Sequence, residues 1–256
     1  MVNPLRAFID FNKKCHILIA KIFPNTKYSA KYRAYSHYPE EVRRNLADNI
    51  SVLDIGGGKL CEFAPELAGF TGIKIIALDI SAEELALNND ADEKIVFDIT
   101  SGKRVPLEDG SVDMVTSSSV LEHLKNIETA MKEVSRILKP GGKFISVLPN
   151  KFALFAIVNQ LFPNWLARKI LFAIMPDARE SHGFVAYYDR CYYPALKNLL
   201  SRNGFSNAEF MFDYNQSEYF SFFLPFGLIA LLWDFLMYIF HVKPFCAYVC
   251  FTAEKS

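Results

Sequence analysis

Short apolar runs rich in β-branched residues alternate with amphipathic stretches through the middle of the chain. Such runs between glycine and polar positions predict strands, and apolar positions at helical spacing predict helices. The predicted strands cover residues 51–55, 73–79, 94–97, 112–117 and 143–148, and the predicted helices cover residues 59–67, 82–88 and 127–138. This βαβ alternation predicts a doubly wound α/β fold with a mostly parallel sheet.

Two further strand patterns, at residues 207–214 and 245–253, bring the predicted sheet to seven strands. We predict an N-terminal amphipathic helical cap over residues 1–40 and one α/β domain over residues 41–256. Apolar helical insertions follow strands five and six, at about residues 151–190 and 215–244.

Three segments are more apolar than a core requires. In residues 5–23 one helical face holds Leu5, Phe8, Ile9, Cys15, Ile19 and Ile22, and the basic residues lie elsewhere. This pattern fits a basic interfacial helix or a lid packed on the domain. Residues 152–175 form a second apolar region, broken at Pro163. Residues 219–240 are the most apolar and carry Asp234 as their single charge.

The segment 219–240 has the length of a membrane span, but it contains Pro225, Gly227 and Asp234. A central aspartate costs about 2.5 to 3.5 kcal/mol on insertion. A shallow helical pair in the membrane interface avoids this cost. The alternative is a soluble cap over a hydrophobic ligand. Both interpretations predict a lipophilic or lipid-linked small molecule as the ligand.

Composition supports this picture, since 51% of the residues are hydrophobic and 14% are aromatic. The 28 basic and 28 acidic residues balance without a basic stripe, which speaks against nucleic acid as a partner. The five cysteines form no CxxC pair and no metal-like spacing, so no disulfide framework is expected. The N-terminus lacks the pattern of a signal peptide. We therefore expect a cytoplasmic protein with peripheral (monotopic) membrane association.

Candidate chemistry begins at Asp54, which precedes Gly56, Gly57 and Gly58 at the end of the first strand. Three glycines let the backbone turn sharply and approach a ligand, although a plain tight turn has the same pattern. Asp79 ends the next strand, where an acidic side chain accepts the hydroxyls of an adenosine ribose. Asp54, and a cysteine where a dinucleotide fingerprint has its third small residue, favour S-adenosylmethionine over NAD.

With these residues the sequence resembles the class I S-adenosylmethionine-dependent methyltransferases, in the broad group that acts on small molecules, lipids and quinones. The resemblance covers about residues 51–148 and rests on the segments 54–58, 78–80, 97–99, 109–115, 121–124 and 138–142. It implies a Rossmann-like sheet and S-adenosylmethionine as the cofactor. The cofactor-binding residues that it implies are Asp54, Gly56, Gly57, Gly58, Asp79, Ile80, Asp98, Ile99 and Ser117. Lys59 and Leu60 depart from the family's pattern, which leaves the contacts to the methionine end of the cofactor open.

The resembled fold also places strands six and seven on either side of segment 219–240. Both strands must return to one sheet, which a single membrane span would prevent. The in-plane arrangement of this segment is therefore the prediction.

His123 follows strand four, where a histidine suits a general base for a hydroxyl acceptor. Its alternative role is to pack or to cap a helix. Ser117, with Ser118 and Ser119, either contacts the methionine end of the cofactor or forms a polar strand terminus. Residues 182–189 combine a histidine with aromatic residues, as a substrate loop or as local packing. Glu180, His182 and Asp189 are too weak a pattern for a metal site, and we predict no metal.

Three functions remain open at this point. The first is methyl transfer, with oxygen as the acceptor atom, to a lipophilic or membrane-associated acceptor such as a lipid-linked sugar or a quinone-like ring. The second is an NAD(P)-dependent oxidoreductase. The third is a membrane-docked binding module that performs no catalysis.

Overall fold

The computed structural model describes residues 4–24, 26, 33–163, 165–166, 169 and 185–256. Within these ranges the helices are α1 (Pro4–Ala20), α2 (Ala34–Asn45), α3 (Ala82–Leu87), α4 (Ile127–Ile137), α5 (Leu154–Leu161), α6 (Tyr193–Arg202) and α7 (Leu224–Ile239). The strands are β1 (Ser51–Ile55), β2 (Lys74–Asp79), β3 (Glu93–Val96), β4 (Val112–Ser118), β5 (Leu138–Pro149), β6 (Phe205–Asp213) and β7 (Tyr248–Lys255). Single 3₁₀ turns form at Ala64–Leu67, Leu121–His123, Ser217–Phe220 and Lys243–Phe245.

The seven strands form one mixed, mostly parallel sheet in the order β3-β2-β1-β4-β5-β7-β6. β1 runs parallel to both of its neighbours, and Ile55 pairs with Leu78 of β2 and with Ser117 of β4. The chain moves outward from β1 first on one side and then on the other. Sheets of this topology bind ligands at the carboxyl ends of the strands beside that switch point. The predicted doubly wound, seven-stranded fold is confirmed.

The central strands are buried almost without interruption, as expected where both faces of a parallel sheet are covered. α4 buries one face, which consists of Ile127, Ala130, Met131, Val134 and Ile137. The side chain of Asn126 accepts a hydrogen bond from Thr129 N at 3.4 Å and so caps this helix.

The chain divides into two compact units. The first, here called the helical unit, comprises residues 1–33, 149–185 and 212–248. The second, here called the sheet unit, comprises residues 34–148, 186–211 and 249–256. The domain boundary predicted at residue 40 falls inside α2, which belongs to the sheet unit.

One predicted helix, at residues 59–67, is wrong: only the 3₁₀ turn Ala64–Leu67 forms there. Cys61 N donates to the side chain of Asp90 at 2.9 Å instead of a helical carbonyl. Pro65 has no N–H with which to continue a helix. Contacts distant in sequence therefore outweigh the local helical pattern.

The apolar segment 219–240 forms a 3₁₀ turn followed by the single helix α7, rather than a helical pair. Pro225 lies in the first turn of α7, where its missing N–H costs nothing. The segment 152–175 begins with α5, and its residues 164, 167–168 and 170–175 lie outside the described residues. Across the part of the chain that is described, no helix has the length and apolarity to cross a membrane.

Asp234 is fully buried in the helical unit. Its Oδ2 accepts hydrogen bonds from Gln216 N at 2.9 Å and Ser217 N at 2.8 Å, at the start of the 3₁₀ turn. Burial raises the pKa of the Asp234 carboxyl to about 7. This single charge of the apolar segment thus caps a turn inside the protein.

We expect the Asp234→Asn variant to flatten the pH dependence of stability. A carboxyl whose pKa is raised on folding stabilises the protein fully below its unfolded pKa, and this stabilisation is lost as pH rises through about 7. Between pH 5 and 8 the melting temperature of the parent should therefore fall by roughly 5 °C more than that of the variant, which retains the oxygen acceptor. Melting curves across this range test the expectation, and parallel curves for parent and variant would contradict it.

Candidate functional site

The chain turns sharply at Gly56, directly after β1. This residue has φ +75°, and a Cβ placed on it would lie 2.1 Å from Cγ2 of Val120. Gly56 N and Gly57 N both donate to Leu78 O, at 2.7 and 3.3 Å, which ties the loop to the end of β2. Glycine is therefore required at position 56 both by conformation and by space.

Asn88 holds the glycine loop from the side. The residue is fully buried, and its Nδ2 donates to Gly57 O at 2.6 Å. Its Oδ1 accepts from Asp90 N and Ala91 N, so the amide joins the loop to the chain after α3. Sequence analysis missed Asn88, although asparagine at the end of a short helix is a known turn signal.

Asp54 lies beneath the glycine loop. A Cβ on Gly57 would lie 3.3 Å from Oδ2 of Asp54, and Thr116 Oγ1 donates to its Oδ1 at 2.8 Å. Burial raises the pKa of the Asp54 carboxyl to about 7. Asp54 is therefore buried below the loop and hydrogen-bonded to β4, and its contact with a cofactor stays a prediction.

Asp79 is the last residue of β2 and faces the same loop. Its Oδ2 accepts from Gly58 N at 3.2 Å, and its Oδ1 accepts from Ser81 N at 2.8 Å. Each carboxylate oxygen has a second acceptor site, so both remain able to accept ribose hydroxyls. The neighbouring Ile80 exposes 58% of its surface. The acidic Asp79 and the exposed apolar Ile80 are therefore neighbours at the end of β2.

Asp98 and Ile99 follow β3, the next strand of the sheet. Phe97 N donates to Asp79 O at 2.9 Å, which brings the ends of β2 and β3 together. Asp98 Oδ1 accepts from the backbone and the hydroxyl of Thr100, at 2.8 and 2.7 Å, and Ile99 is buried. The four predicted residues 79, 80, 98 and 99 are therefore gathered at two neighbouring strand ends.

The three serines at the end of β4 have different environments. Ser117 is fully buried between Ile55 of β1 and Ser146 of β5. Ser118 Oγ lies 2.6 Å from Oε2 of Glu62, and Ser119 Oγ lies 2.5 Å from the hydroxyl of Tyr35. Ser118 and Ser119, rather than Ser117, reach the edge of the sheet.

An ionisable pair follows β4 in the 3₁₀ turn Leu121–His123. Nε2 of the half-buried His123 lies 3.8 Å from Oε1 of Glu122. Glu122 is 4% exposed, and its Oε2 has no hydrogen-bond partner among the described residues. Burial raises the pKa of the Glu122 carboxyl to about 8. A carboxyl perturbed in this way beside a histidine is a functional candidate that sequence analysis missed.

Part of the predicted substrate loop 182–189 contacts this pair through its backbone. Tyr187 N and Tyr188 N both donate to Glu122 O, at 2.8 and 3.0 Å. Asp189 Oδ2 accepts from Ile127 N at the start of α4, at 3.3 Å, so this acid has a structural partner. Glu180 and His182 lie outside the described residues, and the prediction of no metal stays a prediction.

Known proteins share this fold and this sequence region. The geranyl diphosphate C-methyltransferase of Streptomyces coelicolor A3(2) superposes with a TM-score of 0.54 over 86% of this chain and 76% of that chain, at 14% identity. The sheet and its switch point are therefore those of the Rossmann-like methyltransferases. Residues 53–146 match the family described as a methyltransferase domain.

Two relatives from Caenorhabditis elegans are similar in sequence. A sterol 4-C-methyltransferase is 32% identical over 116 residues, which cover 43% of this chain and 34% of the relative. A phosphoethanolamine N-methyltransferase 2 is 27% identical over 181 residues, 66% of this chain and 41% of the relative. The chain thus spans less than half the length of either relative. Residues 53–146 therefore form a methyltransferase domain, and S-adenosylmethionine is the cofactor of this kind of domain.

The residues present fit this cofactor. The glycine loop turns back to the end of β2, where Gly58 N meets Asp79, and Asp79 offers acceptors for a ribose. Ile80 supplies apolar surface and Asp98 a second acid at the adjacent strand end. These groups would hold the nucleoside part of the cofactor.

Proposed function

We propose that the protein methylates an oxygen atom of a lipophilic, membrane-associated acceptor. The observation that carries the proposal is the Glu122–His123 pair, which follows β4, while the glycine loop follows the adjacent strand β1. A hydroxyl acceptor must lose a proton during methyl transfer, and this pair offers an acceptor for it.

S-adenosylmethionine supplies an electrophilic methyl group on a sulfonium, so the chain's main task is to hold donor and acceptor in line. In the proposal, His123 takes the proton from the hydroxyl. Glu122 acts as a positioning residue, because its buried carboxyl lies beside the imidazole and its backbone carbonyl accepts from Tyr187 N and Tyr188 N. An ionised Glu122 would stabilise the imidazolium that forms when His123 takes the proton.

A lipophilic acceptor is supported by the apolar composition and by the large apolar side chains that the helical unit exposes. The names of two similar proteins, a sterol and a geranyl diphosphate methyltransferase, agree with such an acceptor. Both names specify transfer to carbon, which makes carbon the second candidate for the acceptor atom. A carbon acceptor also loses a proton after methylation, so the same pair would serve.

Incubation with a donor labelled with ¹³C in its methyl group, together with fractionated lipids, tests the proposal. We expect label in the lipid phase, and the carbon chemical shift of the product separates O-, N- and C-methylation. The Asp79→Ala variant is the control for enzyme-dependent label. Label confined to water-soluble products would contradict the lipophilic acceptor, and a C-methyl signal would replace oxygen by carbon.

A further inference from the structure

The distribution of buried and exposed side chains on helix α7 is the reverse of that expected for a helix in water. Its buried positions are Gly227, Ala230, Leu231 and Asp234. Its large apolar side chains point outward instead, and the most exposed are Phe226, Ile229, Leu232, Leu236 and Ile239. Water favours the opposite distribution, with large apolar residues inside and polar residues outside. This exposed face, here called the α7 stripe, contains no charged residue.

Helix α1 has the same reversed distribution of buried and exposed side chains. It buries only Asn12, His16 and Ala20. Phe8, Phe11, Leu18 and the following Ile22 are 50%, 66%, 66% and 81% exposed, and they lie on one helical face. These four residues are here called the α1 stripe.

Small and polar groups join α1 to α7. Asn12 Oδ1 accepts from Leu224 N at 2.8 Å, at the start of α7. Gly227 allows close approach, since a Cβ there would lie 2.8 Å from Cδ2 of His16. Contacts through small residues and polar side chains, with large apolar groups facing outward, are typical of helices that pack in lipid.

The basic residues of the α1 region lie on a different side of the helix from the α1 stripe. Arg6, Lys13, Lys14 and Lys21 lie on a face of their own, together with Asp10, which leaves α1 with an excess of basic residues. An apolar face beside a basic face is the pattern of a helix lying in the plane of an anionic membrane surface.

An apolar groove continues the α7 stripe. It has a volume of about 170 Å³ between α5 and α7, and Val158, Phe226 and Ile229 are among its lining residues. Phe226 and Ile229 belong to both the groove and the stripe. The apolar surface therefore extends from α7 to α5 without a charged side chain in the groove lining.

We propose that the α1 and α7 stripes form a membrane-docking surface, which lies in the plane of an anionic leaflet and places its apolar side chains at the acyl-chain boundary. The inference rests on the proposed function for its purpose, access to a lipophilic acceptor. Its evidence comes from the two helices themselves. Because α7 has 16 residues, about 24 Å of helix, it enters the leaflet without crossing it.

Flotation of the full chain with vesicles tests the proposal. We expect binding to vesicles of phosphatidylcholine with phosphatidylglycerol, and at least tenfold weaker binding to phosphatidylcholine alone. A variant with Phe11, Leu18, Ile229 and Leu232 changed to serine should bind the anionic vesicles at least tenfold more weakly. The matched control changes Leu87 and Val96, exposed apolar residues of the sheet unit, to serine and should bind like the parent.

The variant K13Q/K14Q/K21Q should lose most of the preference for anionic lipid, and the control K94Q/K103Q/K132Q should retain it.

Calorimetry with S-adenosylmethionine on the same proteins shows whether vesicle binding changes independently of donor binding. Loss of vesicle binding with unchanged donor affinity supports the docking surface, whatever the acceptor proves to be. Absence of vesicle binding by the parent overturns the proposal. A stripe variant that binds vesicles normally also overturns it. A dimeric parent, together with a stripe variant of lower melting temperature, overturns it as well, because the stripes would then form a protein interface.

Discussion

Replacing His123 by alanine is expected to lower turnover by about 10² to 10⁴-fold, with donor affinity unchanged. His123 lies beside the buried carboxyl of Glu122 and directly after the strand adjacent to β1, where a proton acceptor is useful. Single-turnover rates with a hydroxyl acceptor, beside calorimetry with the donor, measure both quantities. A rate within threefold of the parent would return His123 to a packing role.

The matched control is His37→Ala, which removes another histidine that lies beside a glutamate, with 3.6 Å between His37 Nε2 and Glu41 Oε2. It should leave turnover within about threefold of the parent.

The Glu122→Gln variant tests the positioning role, because it keeps a polar group and removes the ionisation. In the parent, turnover should rise with pH through about 8, where Glu122 ionises. The variant should lack that rise, whereas a purely structural Glu122 would leave the profile unchanged.

Replacing Asp79 by alanine is expected to weaken S-adenosylmethionine binding by at least tenfold. The change removes charge-assisted hydrogen bonds to the ribose, each worth about 1.5 to 3 kcal/mol, and it also releases Gly58 N from its acceptor. Titration calorimetry measures the affinity. NAD serves as the competing ligand, because an acid in this position suits either cofactor.

Asp92→Ala is the control for the loss of a backbone-capping carboxylate. Asp92 Oδ2 accepts from Ile75 N at 2.8 Å, near the opposite end of β2. The variant should lose stability to a similar degree and bind the donor like the parent. Equal donor affinities for the two variants and the parent, or tighter binding of NAD than of S-adenosylmethionine, would contradict the assignment of Asp79.

Local pattern was sufficient for most of the sheet unit. The strand predicted at residues 51–55 has the observed bounds, and α4 ends one residue before its prediction. Long apolar runs and a helical stripe bounded by an asparagine cap are signals that each segment carries alone. The helix predicted at residues 59–67 failed because Cys61 N donates to Asp90 and Cys61 Sγ accepts from Asn88, and these contacts hold the stretch as a loop.

Sequence order also found the strand-end residues, since glycines and acids after predicted strands must gather at one edge of a parallel sheet. It did not separate Ser117, which is buried, from Ser118 and Ser119, which reach the edge. Nor did it find Glu122, because nothing in a sequence shows that a carboxyl beside a histidine is buried.

The sequence by itself determined that Gly56 and Asp79 lie at the ends of two strands, and it determined the apolar character of residues 5–23 and 219–240. These follow from periodicity and from residue type, which are local properties. Only the tertiary structure decided which faces are buried. Asn12 and Asp234 face inward while Phe8, Phe11 and Phe226 face outward, because burial of a polar group depends on a partner elsewhere in the chain.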